Sequence, residues 1–210
     1  MSIKENVFKR LDQCEKDIVE LESLLTAIPA FAPESGGDGE LKKAEALTRY
    51  LRSKGIIDIE RYDSPDSRVS SGRRPNLVAT IEGSLPPDRG RLWIMSHLDV
   101  VPEGDRSMWK TDPFTVVHAD GRVIGRGVED NQQGIVSSVF AVLAIMAEKA
   151  RPARTVKLLF VADEEVGSFH GIQYLLKTTK LFRPEDLIVI PDGGNSRGSD
   201  IEVAEKNLCW

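Results

Sequence analysis

The sequence predicts an α/β fold, a three-layer α/β/α sandwich around a mostly parallel mixed central sheet. Two observations carry this. Segments of helical period alternate with short apolar runs of strand length, the pattern of a sheet covered by helices on both faces. Three of those runs also end directly in a histidine or an acid: His97 and Asp99 after the first, Glu164 and Glu165 after the second, and Asp192 after the third. Sheets of this kind place ligands at the carboxyl ends of their strands.

Taken in order, Ile3, Val7, Leu11, Cys14, Ile18, Leu21 and Leu25 recur at steps of three and four and predict one amphipathic helix over about 2–28. Pro29 and Pro33 end it, and 35–39 is a glycine-rich loop. A second helix is expected over 40–54, stopped by Gly55. Residues 56–62 alternate as a strand, 64–75 are polar and turn-rich and predict an exposed connection, and 76–81 form the next strand. A turn over 85–90 leads into the apolar strand Leu92-Trp93-Ile94-Met95, which runs into His97. A loop carrying Trp109 follows, and then a hairpin over 114–127 turning at Ala119-Asp120-Gly121. The segment 125–131 opens a helix over 134–149 that is apolar on most faces and therefore buried. A strand over 155–162 runs into Asp163-Glu164-Glu165. A short helix over 171–178 and a strand over 187–190 follow, the latter ending at Pro191-Asp192, and 201–204 and 208–210 read as strand again.

Composition narrows the function. A net charge of −5 gives no basic footprint, so nucleic acid is not an expected partner. Cys14 and Cys209 stand far apart with no CxxC pattern, which argues against a disulfide framework or a cysteine zinc site and fits a cytoplasmic protein. No apolar signal region follows Met1 and no apolar run reaches membrane-spanning length, so no membrane partner is expected.

The strand-end residues carry the chemistry. His97 and Asp99, two apart on an extended backbone, point to one side. They supply a metal-binding imidazole and a carboxylate to orient it. One histidine with several carboxylates suits zinc, manganese or cobalt. A carboxylate such as Asp130 can bridge two metals, and paired metals about 3.5–4 Å apart clamp a water and a carbonyl oxygen together. Adjacent Glu164 and Glu165 allow one to bind metal while the other takes a proton. Each acid also has an ordinary reading. Asp163-Glu164-Glu165 would favour a helix dipole, Asp192 sits in a Pro-Asp-Gly-Gly turn, and Asp130 could cap a helix. Their arrival at one sheet edge is what favours a site. His118 and His170 receive no role, and Gly125-Arg126-Gly127 is too short for a nucleotide fingerprint.

Together these segments resemble the di-zinc metallohydrolases of the acetylornithine deacetylase, succinyl-diaminopimelate desuccinylase, aminoacylase-1 and glutamate carboxypeptidase group. The matching segments are Ser96-His97-Leu98-Asp99-Val100-Val101-Pro102, Trp109 with Asp112-Pro113-Phe114, Gly121 with Gly125-Arg126-Gly127 through Asp130, Asp163-Glu164-Glu165-Val166-Gly167-Ser168, and Asp192, in family order. The resemblance implies that His97 and Asp192 bind one metal with Asp99 orienting the imidazole. It implies that Asp130 bridges two metals across a cis bond to Asn131, that Glu165 binds the second metal and that Glu164 is the general base. The implied reaction is attack of metal-bound hydroxide on an amide of an N-acylated amino acid or small peptide, with Glu164 passing the proton to the leaving amine. Zinc is the implied cofactor, two per complete enzyme, with cobalt or manganese as alternatives. Asn131-Gln132-Gln133-Gly134 departs from the Lys-Gly pair often found there.

The family also has a late histidine ligand and an inserted dimerisation or lid domain, and no histidine follows His170 here. Residues 1–210 are therefore expected to be the N-terminal part of a catalytic domain, inactive alone, binding at most one metal well, and dimeric only through the absent domain. The competing expectation is a non-catalytic metal-binding or dimerising relative complete at this length. Deacylase, dipeptidase and carboxypeptidase share these residues and stay open.

Overall fold

The computed structural model describes residues 2–193, so the strands expected over 201–204 and 208–210 lie outside the described residues. Its middle layer is a five-stranded mixed sheet of β1 (Ile59–Pro65), β2 (Arg73–Ile81), β3 (Leu92–His97), β6 (Val156–Val161) and β7 (Leu187–Val189). The spatial order is β1-β2-β6-β3-β7. β3 runs parallel to β6 and β7, and β2 runs antiparallel to β1 and β6, so the antiparallel pairings lie on the β1 side. β4 (Val117–Ala119) and β5 (Arg122–Ile124) form the expected hairpin apart from this sheet, turning at Asp120 and Gly121, both at positive φ.

Alternation along the strands makes the three layers. Leu77, Ala79, Leu158 and Phe160 face one way and pack with α2 (Glu15–Thr26), α3 (Leu41–Ser53) and α4 (Gln133–Ala147). Val78, Trp93, Leu159 and Val161 face the other way and pack with Leu175 of α5 (Ile172–Thr178). Both faces are thus buried, which is why these strands read as apolar runs. Among the described residues no helix is long and apolar enough to cross a membrane.

Three expectations are corrected. The single helix over 2–28 is two, α1 (Ile3–Leu11) and α2, with the turn at Asp12-Gln13-Cys14. Asp12 and Cys14 are weak helix formers, and the break frees α1 to follow α4, where Asn6 and Arg10 both bind Glu148. The first strand begins at Ile59 rather than Ile56, because Ile56 caps the C-terminal end of α3 (Leu41–Ser53) instead of entering the sheet. Its N–H bonds to the Leu51 carbonyl at 3.0 Å and that of Gly55, at φ 89°, to Arg52 at 3.1 Å. This Schellman closure buries Ile56 over Leu51. Finally, 64–75 is no exposed connection. Ser64, Asp66, Val69 and Arg74 are buried, and Arg74 is ion-paired to Glu40 and Asp66. A polar stretch reads as solvent-facing unless its partners, here from α3 and β6, are known.

Candidate metal centre

Strand order assembles the site. β3 and β6 are parallel neighbours with His97 paired to Val161, so His97 and the Asp163-Glu164-Glu165 segment leave the sheet side by side. β7 lies on the other side of β3, and Asp192 follows it at the same edge. Asp130 comes from the turn before α4, and its peptide bond to Asn131 is cis, as the resemblance implies.

The structure brings His97, Asp130 and Asp192 together, with one donor atom from each lying within 4.8 Å of the others. His97 Nε2 is 2.8 Å from Asp130 Oδ1, 3.7 Å from Asp192 Oδ1 and 3.9 Å from Glu164 Oε2. On the far side of the ring, Nδ1 is 3.0 Å from the Asp99 carbonyl oxygen and 3.5 Å from its carboxylate. A carbonyl only accepts, so Nδ1 carries the proton and Nε2 is the atom offered to the carboxylates. The Asp99 carboxylate has a further task. Its two oxygens accept the N–H groups of Glu164 at 3.1 Å and Glu165 at 3.0 Å, so one residue orients the imidazole and holds the acidic turn. Glu165 stands outside the three-donor group.

Electrostatics follow from this crowding. Burial alone would push the His97 imidazole down, but the carboxylates of Asp192 and Asp99 outweigh it and hold it up to about 11. Burial pushes Glu165 up to about 7, reinforced by the Asp130 charge. Burial also raises Glu164, with His97 pulling the other way. Among the described residues no lysine or arginine pairs with Asp130, Glu164 or Asp192, whose sole ion-pair partner is His97. One imidazole among several carboxylates lacking such a cation fits a divalent first-row metal.

Sequence reasoning missed the tethers. Asn131 Nδ2 donates to the Asp192 carboxylate and to the Pro191 carbonyl at 3.0 Å, and Gln133 Nε2 donates to the same carbonyl at 3.0 Å. The unexplained Asn131-Gln132-Gln133 run was the available signal. His170 lies beside Asp66, with its Nε2 3.3 Å from Oδ2, away from the metal donors.

An α/β sandwich that gathers an imidazole and carboxylates at the carboxyl ends of parallel strands defines a protein with a candidate metal site at one sheet edge. More particularly, the chain belongs to peptidase family M20/M25/M40, whose model matches residues 93–204. It is 40% identical over 207 residues to an uncharacterized metallohydrolase of Methanocaldococcus jannaschii, covering 93% of this chain and 48% of that protein. It is 34% identical over 160 residues to the succinyl-diaminopimelate desuccinylase of Delftia acidovorans, covering 76% of this chain and 39% of that one. Human carnosine dipeptidase 1 superposes with a TM-score of 0.72 at 25% identity, over 92% of this chain and 42% of that structure. The chain spans about half the length, or less, of the curated relatives it matches.

Proposed function

We propose that the whole protein hydrolyses an amide bond in N-acylated amino acids or small peptides, with zinc held by His97, Asp130 and Asp192. The observation that carries this is the three-donor group at the strand ends with the Glu164 carboxylate 3.9 Å from His97 Nε2. A divalent cation bound there supplies an acidified water and a polarised carbonyl. The chain's own residues do the rest. His97 offers Nε2 because the Asp99 carbonyl holds the proton on Nδ1. Asp99 also fixes the turn that aims Glu164. The Glu164 carboxylate, raised by burial, accepts a proton and returns it to the leaving amine nitrogen. Glu165, together with Asp130, would help to hold a second metal.

The names of the relatives, a desuccinylase and a dipeptidase, support N-acyl amino acids and dipeptides as the substrates to try. The zinc-loaded whole protein should release free amine from N-acetyl amino acids, N-succinyl amino acids or dipeptides. Glu164→Gln should lower kcat by about 10²–10⁴-fold without abolishing zinc binding. A protein that binds zinc at His97 yet leaves all three substrate classes intact sinks this reading in favour of a non-catalytic metal-binding relative.

A further inference from the structure

Behind the acidic turn lies a second cluster that the metal site does not use. Arg74, on β2, is wholly buried. Its Nε donates to Glu40 Oε2 at 2.6 Å and its Nη2 pairs with Glu40 Oε1. Its Nη1 lies 3.2 Å from Asp163 Oδ1 and 3.4 Å from Asp66 Oδ2. Glu40, Asp66 and Asp163 are themselves buried; this guanidinium is the cation facing Glu40 and Asp163, while Asp66 is also held by Arg68 at 2.8 Å. The site is built closely around Arg74. A Cβ on Gly39, at φ 71°, would come within 3.0 Å of Arg74 Cδ and Nε.

Asp163 immediately precedes Glu164, and the Arg74 cluster grips the turn at that point. The Asp163 N–H donates to Glu40 Oε1 at 3.3 Å, Asp163 Oδ2 accepts the His170 N–H at 3.0 Å, and the Asp163 carbonyl accepts the Ser168 N–H at 2.6 Å. Asp163 holds a left-handed backbone at φ 67°, a conformation that reverses the chain at the end of β6. Three consecutive N–H groups are therefore held by carboxylates: Asp163 by Glu40, then Glu164 and Glu165 by Asp99. Arg74 neutralises the first of these anchors and pairs with the residue it holds.

We infer that Arg74 is a positioning residue: through Glu40 and Asp163 it fixes the turn that aims Glu164 and Glu165 into the metal site. The inference rests on the proposed role of Glu164 for its functional consequence, but its geometry stands independently. Arg74→Lys keeps the charge and loses the two-pronged grip, whereas Arg74→Met loses both. Amide hydrogen exchange of the metal-free whole protein is the first measurement. In folded Arg74→Lys the amides of Asp163, Glu164, Glu165 and His170 should exchange at least about tenfold faster, with those of Leu158 and Phe160 unchanged. Zinc-loaded kcat should fall by about tenfold or more with KM within about twofold of the parent. Arg74→Met should worsen both effects, and if it fails to fold the lysine variant still decides. Unchanged exchange at Glu164 and Glu165 in folded Arg74→Lys overturns the inference. Glu164→Gln, run in parallel, should leave exchange unaltered and lower turnover by about 10²–10⁴-fold. If it turns over normally the assignment of the base fails, while the exchange data still judge Arg74.

Discussion

Around Arg74 the carboxylates of Glu40, Asp66 and Asp163 are buried and face its guanidinium, with Arg68 also holding Asp66. Around His97 those of Asp130, Glu164 and Asp192 are partly exposed and pair with no arginine or lysine among the described residues. The boundary between the two clusters falls between adjacent residues, Asp163 and Glu164. Side-chain chemistry is nearly the same on both sides of it. What differs is the counter-charge: in one cluster the protein supplies a fixed guanidinium, and in the other, among the described residues, it supplies no lysine or arginine. An acidic run in a sequence can thus divide, at a single peptide bond, into an anchor paired with a guanidinium and an acid facing an imidazole.

The comparison can be broken most directly by removing the fixed cation. Arg74→Met should destabilise the protein by about 3–5 kcal/mol, because the buried carboxylates of Glu40 and Asp163 lose their guanidinium partner. Urea unfolding checks this, with a lowered midpoint at unchanged slope as the expected result. The other cluster should respond to an added cation instead. Zinc at about 100 times its dissociation constant should raise stability by about 2.7 kcal/mol, and His97→Ala should abolish the gain. A thermal melt with and without zinc tests this, and equal zinc shifts in parent and variant would refute it.

Glu22 and Lys43 sharpen the contrast as a buried acid and base without a hydrogen bond at Glu22 Oε2 or Lys43 Nζ among the described residues. Burial pushes Glu22 up to about 8, against the pull of Lys43, and pushes Lys43 down to about 8. Folded Glu22 keeps a proton that the unfolded chain releases above pH about 4.5, so its contribution to stability is lost as pH rises from there to about 8. Glu22→Gln should therefore gain on the parent by on the order of 1 kcal/mol or more between pH 5 and 8. Urea midpoints at the two pH values decide it. The smallest effect belongs to the half-exposed rim of the Arg74 cluster. Arg68, which pairs with Asp66 and Glu34, should cost only about 0.2–1 kcal/mol when changed to alanine. A melting shift as large as that of Arg74→Met would show that burial is not the deciding variable.

Legibility in the sequence followed the same division. β2, β3 and β6 could be placed because their apolar residues are bounded by turn residues, and the acids that end apolar runs drew notice for that reason. The break in the first helix was hidden because Leu11, Cys14 and Ile18 keep their spacing through it. The Arg74 cluster was invisible because its members, scattered over residues 40 to 163, each look like ordinary surface charges. Nor could Asn131 and Gln133 announce partners that are partly backbone, 60 and 58 residues away.

The tether from Asn131 to Pro191 and Asp192 bears on how a metal would be received. Two of the three donors, Asp130 and Asp192, come from opposite ends of a long intervening chain, yet one amide side chain delivers them as a unit. On the proposed reading, these donors would form a chelate whose ordering was completed when the chain folded. Metal entry then demands little rearrangement, so its heat should be dominated by exchange of water and protons for the ion, with a small heat-capacity change.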